Sequence, residues 1–199
     1  MSQAISRVLI VPRWSGTPTS DCYPWLTAAL ARRFGEGLSV TALSMPDPGT
    51  PRLDTWPPAL LAAAGDDRAL LRQTLFVGHS VGCQTVLRAL ASMPDDITVG
   101  GALLIAGWFT VDKPWATIQP WIQEPCDLAR ARARTPWLEV LVSDNDPFTA
   151  DFEKTARDFR ERTRASVTIH PGAKHFNAPE EPAVLSALTS RIESSMSAR

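Results

Sequence analysis

Residues 78–82 have the sequence Gly-His-Ser-Val-Gly, and this segment limits the possible folds of the chain most strongly. An apolar run over residues 74–77 precedes it, and a helical pattern over residues 81–93 follows. Glycines at both ends allow the strand and the helix to cross closely, because neither carries a Cβ. The pattern predicts a strained tight turn that exposes the Ser80 hydroxyl above the carboxyl end of a strand.

The rest of the sequence alternates short apolar runs with helical patterns. Continuous apolar strands separated by helices are typical of a parallel sheet with helices on both faces. We therefore expect an α/β fold, a three-layer α/β/α sandwich with a mostly parallel sheet of about six strands. The strands are predicted at residues 8–11, 39–43, 75–77, 102–105, 138–142 and 167–169, and the helices at about residues 24–34, 57–71, 81–93, 149–163 and 182–195.

Composition limits the kind of protein that this chain can form. With 199 residues, 44% of them hydrophobic, we expect a single domain over residues 1–199. The net charge of −1, without a long run of one sign, gives no electrostatic reason to expect binding to nucleic acid or to an anionic membrane. The apolar stretches are shorter than the roughly 18 residues that a bilayer span needs.

Cysteine usage and motif spacing limit the cofactors and the compartment. Cys22, Cys83 and Cys126 are odd in number and scattered, and the N-terminus has no signal-peptide pattern, so we expect a cytoplasmic protein without a disulfide framework. No metal-ligand spacing such as C-x-x-C or H-E-x-x-H occurs, nor does a G-x-G-x-x-G or Walker-type loop. The sequence predicts neither a metal nor a cofactor.

Three histidines could serve as a base for Ser80. A serine hydroxyl becomes a useful nucleophile when a base accepts its proton and a third group holds that base. In α/β-hydrolases, of which G-x-S-x-G in this setting is typical, an acid and then a histidine follow the serine along the chain. His175, in a loop after the last predicted strand, is favoured. For His79 and His170, structural roles are favoured over catalysis.

Two aspartates follow the strand predicted at residues 138–142, and either could orient the base. Asp146 precedes Pro147 and stands at the fourth position of residues 143–146, where this fold commonly places its acid. Asp144 could instead cap the turn or lie in solvent. Asp146 is favoured, and Asp144 stays open as the alternative.

An oxyanion that develops during acyl transfer needs two fixed N–H donors. The Val81 amide is one candidate, because it lies at a helix N-terminus, where negative charge is favoured. The Trp14 amide, in the loop after the first strand, is the second candidate, with a lining or packing role for Trp14 as the alternative.

A stretch rich in tryptophan and proline, residues 107–125, lies where a cap over the site would begin. It is short, so we expect an open cleft. Trp108, Phe109 and Trp115 are candidates for binding the acyl group, and covering the edge of the sheet is an equal alternative. For the arginine-rich residues 129–134, a solvated helix face is favoured over recognition of a carboxylate.

Several motifs together resemble the small, capless serine hydrolases related to retinoblastoma-binding protein 9 and bacterial YdeN. The resemblance covers nearly the whole chain and rests on residues 8–12 with Trp25, Met45-Pro46, and residues 78–83, 143–148 and 172–177. It implies an α/β-hydrolase fold with a minimal cap and a triad of Ser80, Asp146 and His175. The L-x-C-x-E peptide linked to retinoblastoma binding is absent, so that partner is not expected.

The sequence therefore predicts a serine hydrolase that cleaves small carboxylic esters through an acyl-serine intermediate, with amides or short peptides as a variant. The alternative is a non-catalytic module that keeps the fold and binds a ligand or a protein. The residues Pro12-Arg13 stand where relatives often carry glycine, and Arg13 in the oxyanion loop favours that alternative. The complete set of triad residues favours the enzyme.

Overall fold

Six parallel strands form one sheet in the order β2-β1-β3-β4-β5-β6. The computed structural model describes residues 3–197. All six predicted strands are present, and their parallel pairing confirms the predicted α/β architecture. The strands are β1 (Arg7–Val11), β2 (Ser39–Ala42), β3 (Thr74–His79), β4 (Gly101–Ile105), β5 (Leu138–Ser143) and β6 (Ser166–His170).

Helices connect these strands. Within residues 3–197 they are α1 (Tyr23–Phe34), α2 (Trp56–Ala64), α3 (Arg68–Arg72), α4 (Val81–Ser92), α5 (Gln119–Gln123), α6 (Leu128–Ala133), α7 (Phe152–Thr163) and α8 (Pro182–Ser197), with one 3₁₀ turn at Gly35–Gly37. The single helix predicted over residues 57–71 was wrong, because the chain forms α2 and α3 there. Gly65 ends α2 with a φ of 72°, and the Asp67 side chain caps α3.

Both faces of the sheet are covered by helices. Successive residues of a strand point to opposite sides, so each strand contributes to two apolar layers. In β3, Phe76 packs on the side of α2, α4, α6 and α7, whereas Leu75 and Val77 pack on the side of α1 and α8. All six residues of β3 are buried. This double coverage explains why the strands are continuous apolar runs in the sequence.

The parallel arrangement of the strands places the predicted site residues beyond the carboxyl ends of the strands. Strand β1 pairs with β2 on one side and with β3 on the other, so the order of the strands reverses at β1. In open parallel sheets, ligands bind beyond the carboxyl ends of the strands at such a reversal. The loops after β1, β3, β5 and β6 carry Trp14, Ser80, Asp146 and His175, respectively.

The segment predicted as a cap, residues 107–125, forms loops and the short helix α5. Part of it belongs to the core. Trp121 is buried, its indole N–H donates to the Pro51 carbonyl at 3.1 Å, and its ring meets Trp56 edge-on. The segment therefore covers the layer of α2 and α4 as well as bordering the site.

A close crossing at the start of α4 determines the backbone conformation of Ser80. A Cβ on Gly78 would lie 2.6 Å from the Gly82 carbonyl oxygen, and a Cβ on Gly82 would lie 2.4 Å from the Val11 carbonyl oxygen. Ser80, between the two glycines, has a φ of 56° and a ψ of −118°. This conformation is uncommon for a residue with a side chain, and it is maintained by the packed backbone around it.

We expect Gly82→Ala to destabilise the protein, because its methyl group would contact the backbone of β1, which has little freedom to move. Overpacking of this kind costs about 1–3 kcal/mol or more. Unfolding in urea measures the loss. Gly37→Ala is the control, because a Cβ there would meet nothing within 4 Å. Equal free energies of unfolding for the two variants would contradict the proposed crossing.

Candidate active site

Ser80 lies at the bottom of a cleft beyond the carboxyl end of β3. The cleft has a volume of about 490 Å³, and Ser80 is one of the residues that line it, although Ser80 is only 9% exposed. The indole nitrogen of Trp108 lies 3.5 Å from Ser80 Oγ. The cleft is lined by Arg13, Trp14, Ser15, Ser80, Trp108, Val111, Trp115, Ile118, Phe148, His175 and Asn177.

His175 and Asp146 form a buried pair at the same cleft. His175 Nδ1 lies 2.8 Å from Asp146 Oδ2, and both side chains are almost fully buried. An ionised carboxylate only accepts hydrogen bonds, so Nδ1 carries the proton in the neutral ring. Nε2 then has a free lone pair that can accept a proton from a hydroxyl. The contact with Asp146 thus favours the tautomer that a general base requires.

The turn that carries Asp146 also holds the loop that carries His175. Asp144 accepts a hydrogen bond from the Gly172 amide at 2.8 Å, and Asn145 Oδ1 accepts one from the Lys174 amide at 2.7 Å. Asp146 alone of the two aspartates reaches the imidazole ring; Asp144 binds backbone instead. The geometry therefore favours Asp146 as the acid partner.

The other two histidines lie in different surroundings. His170 ends β6, is partly exposed and meets the Phe176 ring edge-on. His79 is 1% exposed, and both of its ring nitrogens are hydrogen-bonded, Nδ1 to the Tyr23 hydroxyl and Nε2 to the His175 carbonyl, each at 2.7 Å. Burial lowers the pKa of His79 to about 3, so its ring is neutral at physiological pH.

The two candidate oxyanion donors lie on neighbouring segments. Val81 begins α4, and the first amides of a helix have no partner within that helix. The Trp14 amide donates to no group within residues 3–197. The packing of Gly82 against the Val11 and Pro12 carbonyls brings the start of α4 against the loop that carries Trp14. The Val81 and Trp14 amides thus lie on adjoining segments, and Trp14 lines the cleft.

Arg13 lines the cleft, but its charge is paired. Its guanidinium binds both carboxylate oxygens of Asp21, at 2.7 and 3.0 Å, and a third bond at 2.9 Å goes to the Trp14 carbonyl. Such bidentate pairs fix the guanidinium plane. Arg13 thus braces the loop after β1.

Two of the three predicted acyl-binding aromatics, Trp108 and Trp115, line the cleft. Phe109 is not among the residues that line it. Its ring packs on Phe159 of α7, with 4.5 Å between ring centroids, and the Arg162 guanidinium lies 4.0 Å above it. Phe109 is partly buried against the apolar layer that contains Phe159.

An aromatic wall, composed of Trp14, Trp115, Phe148 and His175, borders the cleft. The successive ring centroids are 5.8, 5.6 and 4.6 Å apart, and each pair meets edge to face. Sequence reasoning missed Phe148, although it lies only two residues after Asp146 in the same loop. It also missed Val111 and Ile118, which extend the apolar lining.

The remaining charged and apolar features either have a structural role or have no bearing on the site. Arg130 and Arg134 both contact Asp95, so the arginine-rich segment makes contacts within the protein.

Among residues 3–197, His, Cys, Asp and Glu side chains do not gather in groups of three or more that could bind a metal ion. Over the same residues, each helix is too short or too polar to cross a bilayer.

The low pKa of His79 predicts how stability depends on pH. The ring is uncharged in the folded protein down to about pH 3, whereas in the unfolded chain it takes up a proton near its ordinary pKa of 6.5. The unfolded state therefore binds more protons below that pH, and stability falls by up to about 1.4 kcal/mol for each pH unit.

This loss is measured by urea unfolding at about pH 7 and about pH 5, with His79→Gln as the non-titrating control. We expect the wild type to lose about 2 kcal/mol more than the variant across this interval. An equal loss in both proteins would mean that His79 is not held neutral by burial.

Comparison with known proteins extends these observations. A family model described as "Serine hydrolase" matches residues 8–185. The protein YdeN of Bacillus subtilis (strain 168) is 30% identical over 102 residues, which cover 51% of this chain and 50% of YdeN. The alignment thus spans about half the length of that relative.

Solved structures share the same fold. The crystal structure of the ydeN gene product from B. subtilis has a TM-score of 0.83 at 23% identity, covering 94% of this chain and 99% of that chain. Est1E from Butyrivibrio proteoclasticus has a TM-score of 0.71 at 14% identity, covering 98% and 90%. At these identities the likeness concerns the fold, six parallel strands between two helical layers.

Proposed function

The chain belongs to the serine hydrolase family, and we propose that it hydrolyses small carboxylic esters through an acyl-serine intermediate. The observation that carries this proposal is the buried pair of His175 and Asp146, 2.8 Å apart, at the cleft into which Ser80 opens. A nucleophile, a base and an orienting acid are the three parts that acyl transfer by a serine requires.

In the proposed reaction, Ser80 Oγ attacks the ester carbonyl carbon while His175 Nε2 takes the hydroxyl proton. The carbonyl oxygen becomes an oxyanion, which accepts hydrogen bonds from the Val81 and Trp14 amides. When the tetrahedral intermediate collapses, the departing alkoxide takes the proton from Nε2 and leaves as the alcohol. His175 then takes a proton from a water molecule, which attacks the acyl carbon. When the second tetrahedral intermediate collapses, the bond from this carbon to Ser80 Oγ breaks, Oγ takes the proton back from Nε2, and the carboxylic acid leaves.

Asp146 has two parts in this reaction. Its carboxylate holds the ring so that Nε2 accepts the proton, and it stabilises the imidazolium that forms when the proton has moved. Its second oxygen accepts a hydrogen bond from the Phe148 amide at 2.9 Å, which fixes the rotation of the carboxylate. The acid, its turn and the adjoining wall of the cleft are thus positioned together.

The lining of the cleft favours neutral substrates with an apolar acyl group. Trp14, Trp108, Trp115 and Phe148 supply aromatic surface, and the charge of Arg13 is already paired with Asp21. No unpaired cation or anion is left among the described lining residues to bind a charged substrate. A volume of about 490 Å³ suits a small ester. The pairing of Arg13 also weakens the argument for a non-catalytic binding module.

A fluorophosphonate probe tests the nucleophile. We expect the wild type to be labelled on the peptide that contains Ser80, no labelling of Ser80→Ala, and slower labelling of His175→Ala, because the hydroxyl then lacks its base. Labelling is followed by gel fluorescence and peptide mass spectrometry. If the wild type is unlabelled and leaves p-nitrophenyl acetate intact, the non-catalytic alternative gains support.

Asp146→Asn should lower kcat by up to about 10⁴-fold, the scale measured for the corresponding change in a well-studied serine protease, because the amide favours the wrong ring tautomer. Asp144→Asn is the matched control, since its side chain binds only the Gly172 amide. Steady-state hydrolysis of p-nitrophenyl acetate measures both variants. A large loss in Asp144→Asn with little change in Asp146→Asn would reverse the assignment of the acid.

Trp115→Ala should raise KM for p-nitrophenyl butyrate by up to about tenfold, because it removes aromatic contact area from the cleft. Phe109→Leu is the control, since Phe109 packs on α7 outside the cleft. The two KM values are compared with those for a p-nitrophenyl ester of succinic acid, whose free carboxylate should bind poorly to every variant. Tight binding of the charged ester by the wild type would contradict the assigned substrate class.

A further inference from the structure

A chain of hydrogen bonds runs behind Ser80, through His79 and Tyr23. His79 precedes the serine and is buried with both ring nitrogens bonded, Nδ1 to the Tyr23 hydroxyl at 2.7 Å and Nε2 to the His175 carbonyl at 2.7 Å. The Tyr23 hydroxyl also accepts the Arg13 amide at 3.1 Å. This chain of hydrogen bonds therefore begins at Arg13, one residue before Trp14, and ends at His175, the proposed base.

Each proton in this chain has one possible position. The His175 carbonyl can only accept, so His79 Nε2 carries the hydrogen, and Nδ1 of the neutral ring accepts. The Tyr23 hydroxyl must then donate to Nδ1, and its oxygen is free to accept the Arg13 N–H. All the donors and acceptors are paired with partners in a buried region, where an unpaired group would be costly.

The two segments joined by this chain lack regular structure. Residues 12–16 follow β1, and residues 171–177 follow β6, with Lys174 and Phe176 on either side of His175 at φ values of 51°. Neither segment is held by a helix or a strand of its own. Tyr23 and His79, by contrast, lie in α1 and at the end of β3, which are packed in the core.

We propose that Tyr23 and His79 are positioning residues that tie the oxyanion loop, residues 12–16, to the base loop, residues 171–177, across the back of Ser80. This inference rests on the proposed function for its catalytic consequence. The two residues hold the Trp14 amide and the His175 ring in a fixed relative position, so that proton transfer and oxyanion binding occur in one geometry.

The consequence for catalysis lies in the transition state. Small displacements of a catalytic group by about 1 Å can cost on the order of 10²-fold in rate. The Trp14 amide and the His175 ring act on charge that develops only during the reaction, so their misplacement lowers kcat and leaves KM nearly unchanged. The ion pair of Arg13 with Asp21 still anchors the oxyanion loop when the Tyr23 hydroxyl is removed.

Tyr23→Phe tests the tie, because it removes one hydroxyl and keeps the ring that packs in the core. Amide hydrogen exchange, read by mass spectrometry, should rise about fivefold in both loops, 12–16 and 171–177. The control is Ser195→Ala, which removes another buried hydroxyl, one that accepts the Ile5 amide at 2.9 Å. This control should change exchange near Ile5 and in neither loop.

Kinetics supply the second measurement. We expect Tyr23→Phe to lower kcat for p-nitrophenyl acetate by about 10- to 100-fold with KM little changed, and Ser195→Ala to leave both near wild type. In the double variant Tyr23→Phe/His79→Gln, the decrease in kcat should be no larger than in the more impaired single variant. The reason is that both changes interrupt the same chain of hydrogen bonds.

The outcomes separate this proposal from the proposed function. Faster exchange in both loops supports the tie even if the wild type hydrolyses no ester, a result that would count against the proposed function alone. Faster exchange confined to residues 12–16 would overturn the tie, as would an unchanged kcat in an active Tyr23→Phe protein. A fall in kcat shared by Ser195→Ala would show a general loss of stability instead.

Discussion

At the start of α4 the backbone passes so close to β1 that a Cβ on Gly82 would lie 2.4 Å from the Val11 carbonyl oxygen. This contact determines where the Ser80 hydroxyl and the Val81 amide lie, because the backbone of the turn between β3 and α4 would clash with neighbouring backbone in another conformation. It also brings the loop after β1 against the helix. The proposed nucleophile and both proposed oxyanion donors therefore depend on one crossing of two backbones.

The proposed base, His175, is held by a different set of contacts. Three consecutive side chains, Asp144, Asn145 and Asp146, bind Gly172, Lys174 and His175 in turn. The turn after β5 thus supports the loop after β6 along its length, and only the last bond reaches a titratable ring. Ser80, Lys174 and Phe176 have positive φ values, so part of the backbone strain in this structure lies around the site.

The tight turn at Ser80 and the strands were predictable because their signals are local. Glycines around Ser80 and the apolar runs are each visible within a few residues, and the order of serine, aspartate and histidine can be read along the sequence. The resemblance to YdeN-like serine hydrolases is confirmed by the family match. The break between α2 and α3 also had a local signal, Gly65 followed by Asp67, which the helical pattern of residues 57–71 outweighed.

Other features depend on contacts between distant residues. Nothing near Phe109 in the sequence indicates that its ring packs on Phe159, fifty positions away, with Arg162 above it. The partner of Arg13 is equally hidden, because Asp21 belongs to a separate turn. His79 could be expected to make hydrogen bonds, but its partners, Tyr23 and the His175 carbonyl, are settled by the three-dimensional fold alone.

The most direct test of the account is to trap the acyl-enzyme. The protein is mixed with p-nitrophenyl acetate, quenched with acid within the first turnover and digested for peptide mass spectrometry. The proposed mechanism predicts one acetyl group, located on Ser80, whose formation accompanies a burst of p-nitrophenol. Ester hydrolysis that leaves Ser80 unmodified, with acetyl found on another side chain or on none, would contradict it.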